Sequence, residues 1–124
     1  MEAQYVFAVT FRLDSDQVDV DPDRFEVRMR RPADTPGDDG WLFFRDNFWH
    51  GELNAPEHFQ SLTAEELGVP VESVEFKAFE TDREYLTALR SEIGDQLAEF
   101  RADDVDEVLH KYLGSRLEVR DGRQ

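Results

Sequence analysis

The sequence predicts an α+β domain, a mostly antiparallel sheet of about four to five strands with helices packed on one face. Three observations carry that expectation. Residues 4–13 and 24–31 alternate apolar and polar side chains with a period of two, as half-buried strands do. Tyr85, Leu86, Leu89, Ile93, Leu97 and Phe100 recur at three- and four-residue spacings, as on an amphipathic helix. The strand patterns come first, and helical ones then interleave with one or two further strands. A chain of 124 residues is enough for one core. The reading is therefore a single domain over residues 1–124, with residues 121–124 frayed.

The first strand places Tyr5, Phe7, Val9, Phe11 and Leu13 on one face. Residues 14–23 hold five aspartates and Pro22, a solvated connection. The second strand turns Phe25, Val27 and Met29 inward and Glu26, Arg28 and Arg30 outward. Pro32 to Gly40 is a loop. The short apolar run Trp41-Leu42-Phe43-Phe44 predicts a third strand, and Arg45 to Leu53 an irregular aromatic segment. Asn54 is placed to cap a short helix over 55–61 with Pro56 in its first turn. Thr63 and Glu66 have the spacing of a capping box for a further turn ending at Gly68. Val71 to Phe79 reads as a strand. Thr81 and Glu84 form another capping box, opening the helix that runs to Phe100. Asp103 or Asp104 caps a last helix carrying Val105, Val108, Leu109, Tyr112 and Leu113 and stopped by Gly114. Leu117 and Val119 suggest a short closing strand.

The charge inventory sets the environment. There are 29 acidic residues against 14 basic ones, a formal net charge of -15. Only Lys77 and Lys111 among the bases are lysine; the rest are arginine. Fifteen unbalanced negative charges repel one another in dilute buffer. The Debye length shrinks from about 8 Å at physiological ionic strength to about 3 Å in molar salt, which removes most of that repulsion. Arginine keeps a planar fork for carboxylate pairing where a base is needed. The composition therefore predicts a halophile-adapted protein. Cysteine is absent, which excludes disulfides, thiol catalysis and cysteine-based zinc or iron–sulfur sites. The N-terminus, Met1-Glu2-Ala3-Gln4, has no basic region and leads into a strand pattern, unlike a signal peptide, and no apolar run approaches a membrane span. The expectation is a soluble cytoplasmic protein with no membrane attachment, for which nucleic acid is an unfavourable partner.

Candidate sites stand out against this acidic background. The stretch from Trp41 to Glu52 packs Trp41, Phe43, Phe44, Phe48 and Trp49 beside Arg45, Asp46, His50 and Glu52. Such a mixture suits a pocket wall or an interaction surface, although aromatic residues more often complete a core. Arg28 and Arg30 share one face of the second strand and suit an anion or a partner's carboxylates, or pairing within the chain. His50-Gly51-Glu52 has the H-x-E form of zinc deaminases but lacks the cysteines that chemistry requires. Asp14-x-Asp16 begins like a calcium loop, yet its twelfth position is Phe25. Residues 63–74 imitate a helix-turn-helix, but the second helix would present Glu72 and Glu75 to DNA, and Val74, Phe76 and Ala78 alternate like a strand. No catalytic residue, metal ligand set or cofactor is assigned.

With those residues in view, the chain resembles the LWR-salt family of small haloarchaeal proteins. The resemblance lies in Gly40-Trp41-Leu42-Phe43-Phe44-Arg45-Asp46-Asn47-Phe48-Trp49-His50-Gly51-Glu52 and in Asp103 through Gly114. The family motif is Leu-Trp-Arg, and here that stretch reads Phe48-Trp49-His50, so only the tryptophan carries over. The resemblance implies a salt-rich habitat and a coherent fold and supplies no reaction. The combined expectation is a non-catalytic interaction module. Its binding residues are Arg45, Trp49, His50 and Glu52, with Arg28 and Arg30, and its partner is another protein or a second copy of itself. The alternatives are a small-ligand-binding protein or enzyme with a pocket in the same segment, and a DNA-associated regulator using residues 63–74.

Overall fold

The structure, a computed structural model, describes residues 1–12 and 24–120. Leu13, the expected acidic loop at 14–23 and the expected frayed end at 121–124 lie outside the described residues. Element order is β1 (Ala3–Arg12), β2 (Arg24–Pro32), α1 (Phe43–Asn47), β3 (Phe48–Trp49), β4 (Glu52–Leu53), α2 (Pro56–Leu67), β5 (Val71–Thr81), α3 (Arg83–Asp95), α4 (Leu97–Phe100), α5 (Val105–Leu113) and β6 (Leu117–Val119). This is the α+β class that the alternating and helical patterns predict.

The main sheet has four strands in the order β2-β1-β5-β6, and β3 and β4 form a separate hairpin. β1 is antiparallel to both β2 and β5, while β6 joins parallel to β5. A parallel neighbour requires a long crossover, and α3, α4 and α5 supply it. The two sheet faces differ. Tyr5, Phe7 and Val9 on β1 oppose Phe79, Phe76 and Val74 on β5, and all six belong to the buried core. Leu89, Ile93, Phe100, Val108 and Leu113 from the helices complete it. Each fully buried side chain of this size contributes about 1.5–3 kcal/mol of apolar transfer energy. Val6, Ala8 and Ala78 point the other way. They are buried but stand outside that cluster, flanked in register by Arg30, Arg28 and Glu75.

Burial pushes the Tyr5 hydroxyl far above its ordinary range. Tyr85 is pushed up to about 12, also chiefly by burial, and its hydroxyl donates to the Asp34 carbonyl. That bond ties the 33–40 loop to α3.

Four local expectations are corrected. Trp41 and Leu42 form a turn, and Phe43 and Phe44 open α1, in place of a third strand. A four-residue apolar run has no period of its own, and here Phe44 stacks on Phe100 at 5.9 Å while Trp41 meets the same ring edge-on at 6.2 Å. The expected pair of short helices over 55–68 is one continuous helix, α2. Thr63 sits inside it, buried, and its hydroxyl donates to the Phe59 carbonyl one turn back instead of capping. Gly68 does end the helix, in the left-handed conformation at φ 72. Asn54 caps nothing on α2, whose N-cap is Ala55. Its amide donates to the Asp46 carbonyl at 3.2 Å, and its backbone N–H to Asn47 at 2.9 Å. Finally, α3 is capped by Asp82 rather than Thr81. The Asp82 carboxylate accepts from the Tyr85 N–H at 2.7 Å and from the Glu2 N–H at 2.8 Å, and the first of these bonds most strongly holds its carboxyl below the usual range.

The helical run to Phe100 breaks at Gln96, and Asp104 caps α5 through the Glu107 N–H at 2.8 Å. The helix-turn-helix expectation needs a second helix after Gly68. The chain there is β5, with Glu72, Ser73 and Glu75 exposed.

Candidate functional site

The aromatic stretch divides between core and surface. Phe44 and Phe48 are almost fully buried, and Phe48 lies 4.1 Å from Phe76, centroid to centroid. Trp41 is buried too. Phe43 is half-buried against Tyr5 at 4.8 Å, with the Arg31 guanidinium 4.3 Å above its ring. Trp49 alone among them faces solvent, 48% exposed. Adjacent strand residues point to opposite sides, so burying Phe48 turns Trp49 outward.

The turn that presents Trp49 is tight. Trp49 pairs with Glu52 and Phe48 with Leu53, leaving His50 and Gly51 as the two-residue loop. Both have positive φ, 51° and 83°, the mark of a type I′ hairpin turn. Histidine is among the few non-glycine residues enriched in this left-handed region. The turn is also docked by its backbone. The His50 N–H donates to the Lys111 carbonyl at 2.8 Å, and the Gly51 N–H to the Tyr112 carbonyl at 3.0 Å. Those carbonyls belong to the last turn of α5, where a helix has no partners of its own for them. Arg116 closes the contact from the other side, its Nε donating to the Gly51 carbonyl at 3.3 Å. A Cβ on Gly114 would lie 3.0 Å from the backbone of His50, so the approach of hairpin to helix requires glycine there.

Around Trp49 the docking gathers side chains from α5. Its ring meets His50 at 4.6 Å and Tyr112 at 5.9 Å, both edge-on. The Lys111 ammonium stands 5.9 Å from the ring centroid and donates to the Phe100 carbonyl at 3.2 Å. His110 lies 6.3 Å from His50. A cation near an indole face is attracted by the ring quadrupole. The result is an exposed aromatic patch bearing one of the two lysines and two of the three histidines.

The six predicted binding residues fall in three places. Trp49, His50 and Glu52 share the hairpin. Arg45, in α1, is engaged by its neighbour Asp46 at 3.1 Å. Arg28 and Arg30 lie on β2, on the sheet face that the helices leave open. Arg28 has a long contact of 3.9 Å to Glu26, and Arg30 has no ion pair among the described residues. His110, Lys111 and Tyr112 were not selected by sequence reasoning. Their signal was a basic pair in the last turn of a helix, where the dipole favours cations. Among the described residues no group of three or more His, Asp or Glu is arranged to hold a metal ion. No helix among the described residues is long and apolar enough to cross a membrane. An open depression of about 430 Å³ beside α1 is lined by Arg31, Asp38, Trp41, Phe43 and Asp46, among others.

A family model described as LWR-salt protein matches residues 1–123. No curated protein and no solved structure matches the chain.

Proposed function

The chain belongs to the LWR-salt protein family, and from that premise, which brings no reaction with it, we propose a non-catalytic protein-interaction module working in a salt-rich cytoplasm. The observation that carries this reading is the half-exposed Trp49 on a turn pinned by backbone hydrogen bonds. Tryptophan is over-represented among residues that dominate interface energies, and a rigid mount reduces the ordering cost of binding. Lys111, His110 and His50 beside it favour an acidic partner segment. In a salt-adapted cell a typical partner would be as acidic as this chain, and a surface bearing bases avoids the repulsion.

The test uses Trp49→Ala and Lys111→Glu, with circular dichroism to verify the fold. Immobilised protein in molar KCl is expected to retain a discrete acidic protein from a source-cell extract. Truncating a hot-spot tryptophan removes at least about 2 kcal/mol, so binding should weaken by roughly thirtyfold. If both variants retain the same proteins as the parent, Trp49 is not the working surface. The salt-adapted part of the reading has its own check. Thermal stability should fall steadily as KCl is withdrawn, because screening between exposed carboxylates is lost. Stability unchanged down to millimolar KCl removes it.

A second reading, a small-ligand site, is favoured by the depression beside α1, where the Arg31 cation meets the aromatic segment. Saturable quenching of buried Trp41 by an anionic aromatic ligand, lost in Arg31→Ala, would support it. Its absence across a ligand panel would leave the Trp49 reading alone.

A further inference from the structure

We propose that β2 is a self-association edge, through which two copies of the chain join antiparallel into one continuous sheet. The surface is separate from Trp49 and does not rest on the preceding reading.

The strand is long and open. β2 runs nine residues at the end of the sheet order, and among the described residues no strand pairs with its outer side. The Ala33 N–H donates to the Ala3 carbonyl at 2.9 Å. The pairing continues without a break through Tyr5–Arg31 to Arg12–Arg24. By antiparallel alternation, Phe25, Val27, Met29 and Arg31 spend their backbone groups on β1. Arg24, Glu26, Arg28, Arg30 and Pro32 therefore aim theirs outward. Pro32, which has no N–H, sits at an outward position, as proline on an edge must.

The helical layer stops short of this edge. A cavity of about 270 Å³ lies beneath β2, lined by Phe7, Val9, Met29, Phe59, Thr63 and Val74 among others. Val27 is 37% exposed on that same core-facing side. Apolar surface thus continues to the rim of the sheet, and among the described residues no strand lies beside it.

The side chains select a second copy as the occupant. Charged residues on an edge ordinarily keep other strands away. Here their signs invert along the strand. An antiparallel twofold centred on Arg28 sets Glu26 opposite Arg30 of the second copy, and Arg30 opposite its Glu26. On the core-facing side it sets Val27 opposite Met29 and Phe25 opposite Arg31. One like-charge contact remains, Arg28 against itself. Centring on Val27 sets Glu26 opposite Arg28 twice but also brings Arg24 against Arg30 twice, and centring on Met29 brings Arg28 against Arg30 twice. The Arg28 register gives the best complementarity, and it takes up an Arg30 that has no ion pair within the described chain. It forms about six backbone hydrogen bonds from the Arg28 and Glu26–Arg30 pairs alone, with cross-strand charge and apolar pairs added.

Sedimentation in molar KCl from micromolar to millimolar protein tests the proposal. The parent is expected to dimerise within that range. Glu26→Arg converts both cross-pairs to Arg–Arg and leaves only like-charge pairs in the Val27 and Met29 registers too, so it should raise the dimer dissociation constant by at least about tenfold. Adding Arg30→Glu to Glu26→Arg restores the two Arg–Glu cross-pairs, so the double variant should recover the dimer. Arg28→Pro removes an outward N–H without touching the β1 pairing, so a folded monomer is expected. Trp49→Ala should leave the dimer unchanged, which separates this result from the interaction reading. A parent that stays monomeric throughout, leaving the edge to solvent or to another partner, overturns the proposal. So does a Glu26→Arg variant, shown folded by circular dichroism, that dimerises as tightly as the parent. Should Arg28→Pro fail to fold, the charge-swap pair still decides.

Discussion

The Phe48–Leu53 hairpin gives only two residues to each strand, whereas β2 gives nine, yet the shorter element is held on more sides. The hairpin sends Phe48 into the core, lends two N–H groups to α5 and receives Arg116 on its turn carbonyl. Among the described residues β2 pairs with β1 alone, tied elsewhere only by side chains such as Arg31 over Phe43 and Arg24 on Glu72, and most of its side chains are exposed. Strand length is thus a poor guide to how firmly a surface is fixed. A short turn becomes a rigid mount when it satisfies another element's unpaired carbonyls. A long strand at an edge remains half-finished, because one side of its hydrogen-bonding ladder is unused.

The sharpest contrast lies within the hairpin itself, between two neighbouring aromatic residues. Phe48→Ala should destabilise the fold by about 3–5 kcal/mol, since it empties a packed site against Phe76, Tyr5 and Phe7. Trp49→Ala should change stability by less than about 1 kcal/mol, because half the residue is already in water. Urea unfolding monitored by circular dichroism measures both. Equal losses would mean that Trp49 is a core residue and would break the division between mount and cargo on which the interaction reading depends.

The next largest effect tests the docking. Gly114 has φ 58, and a Cβ there would meet the His50 carbonyl carbon and oxygen at 3.0 Å. Gly114→Ala therefore combines a strained left-handed backbone with a backbone-on-backbone clash, at a cost of about 1–3 kcal/mol. The clash falls between α5 and the hairpin and not in the sheet. Hydrogen exchange should accelerate at the His50 and Gly51 amides while the β1–β2 amides keep their protection relative to global unfolding. Uniform acceleration would show that the hairpin opens only with the whole domain.

Much of this fold was legible because its strands obey a period of two. β1 and β2 emerge from the alternation of Tyr5 to Phe11 and Phe25 to Met29, and α5 from Asp104 and Gly114 at its ends. Trp41 to Phe44 was not legible. A run of four apolar residues fits a strand or a helix equally, and the choice was made by Phe100, more than fifty positions away in sequence. Asn54 misled for a similar reason. It has the chemistry of a cap, but its side-chain amide donates to the Asp46 carbonyl and its backbone N–H to the Asn47 carbonyl, both at the end of α1. At the site, Trp49 and His50 were found as exceptions to an acidic surface. Their neighbours Lys111 and Tyr112 depend on the approach of α5, which local pattern does not encode. The separation of Arg45 from Arg28 and Arg30 is likewise a matter of topology, since α1 packs toward α5 while β2 lies at the far edge of the sheet.

The smallest effect concerns the one non-glycine residue that completes the turn. A type I′ turn needs positive φ at both central positions, and asparagine tolerates the first of these better than histidine does. His50→Asn should therefore stabilise the fold by up to about 0.5 kcal/mol, read as a small rise in urea midpoint at unchanged slope. The substitution also removes the ring that meets Trp49 at 4.6 Å and His110 at 6.3 Å. Turn geometry and side-chain chemistry are thereby separated in one residue. If stability rises while partner capture weakens, the imidazole belongs to the Trp49 surface, and the strained turn is retained for the contacts it offers. If stability rises and capture is unchanged, His50 serves the turn alone, and the patch reduces to Trp49, Lys111 and Tyr112. A fall in stability would mean that the edge-on contact with Trp49 outweighs the backbone strain, making the hairpin tip a packed unit rather than a mount with an attached ring.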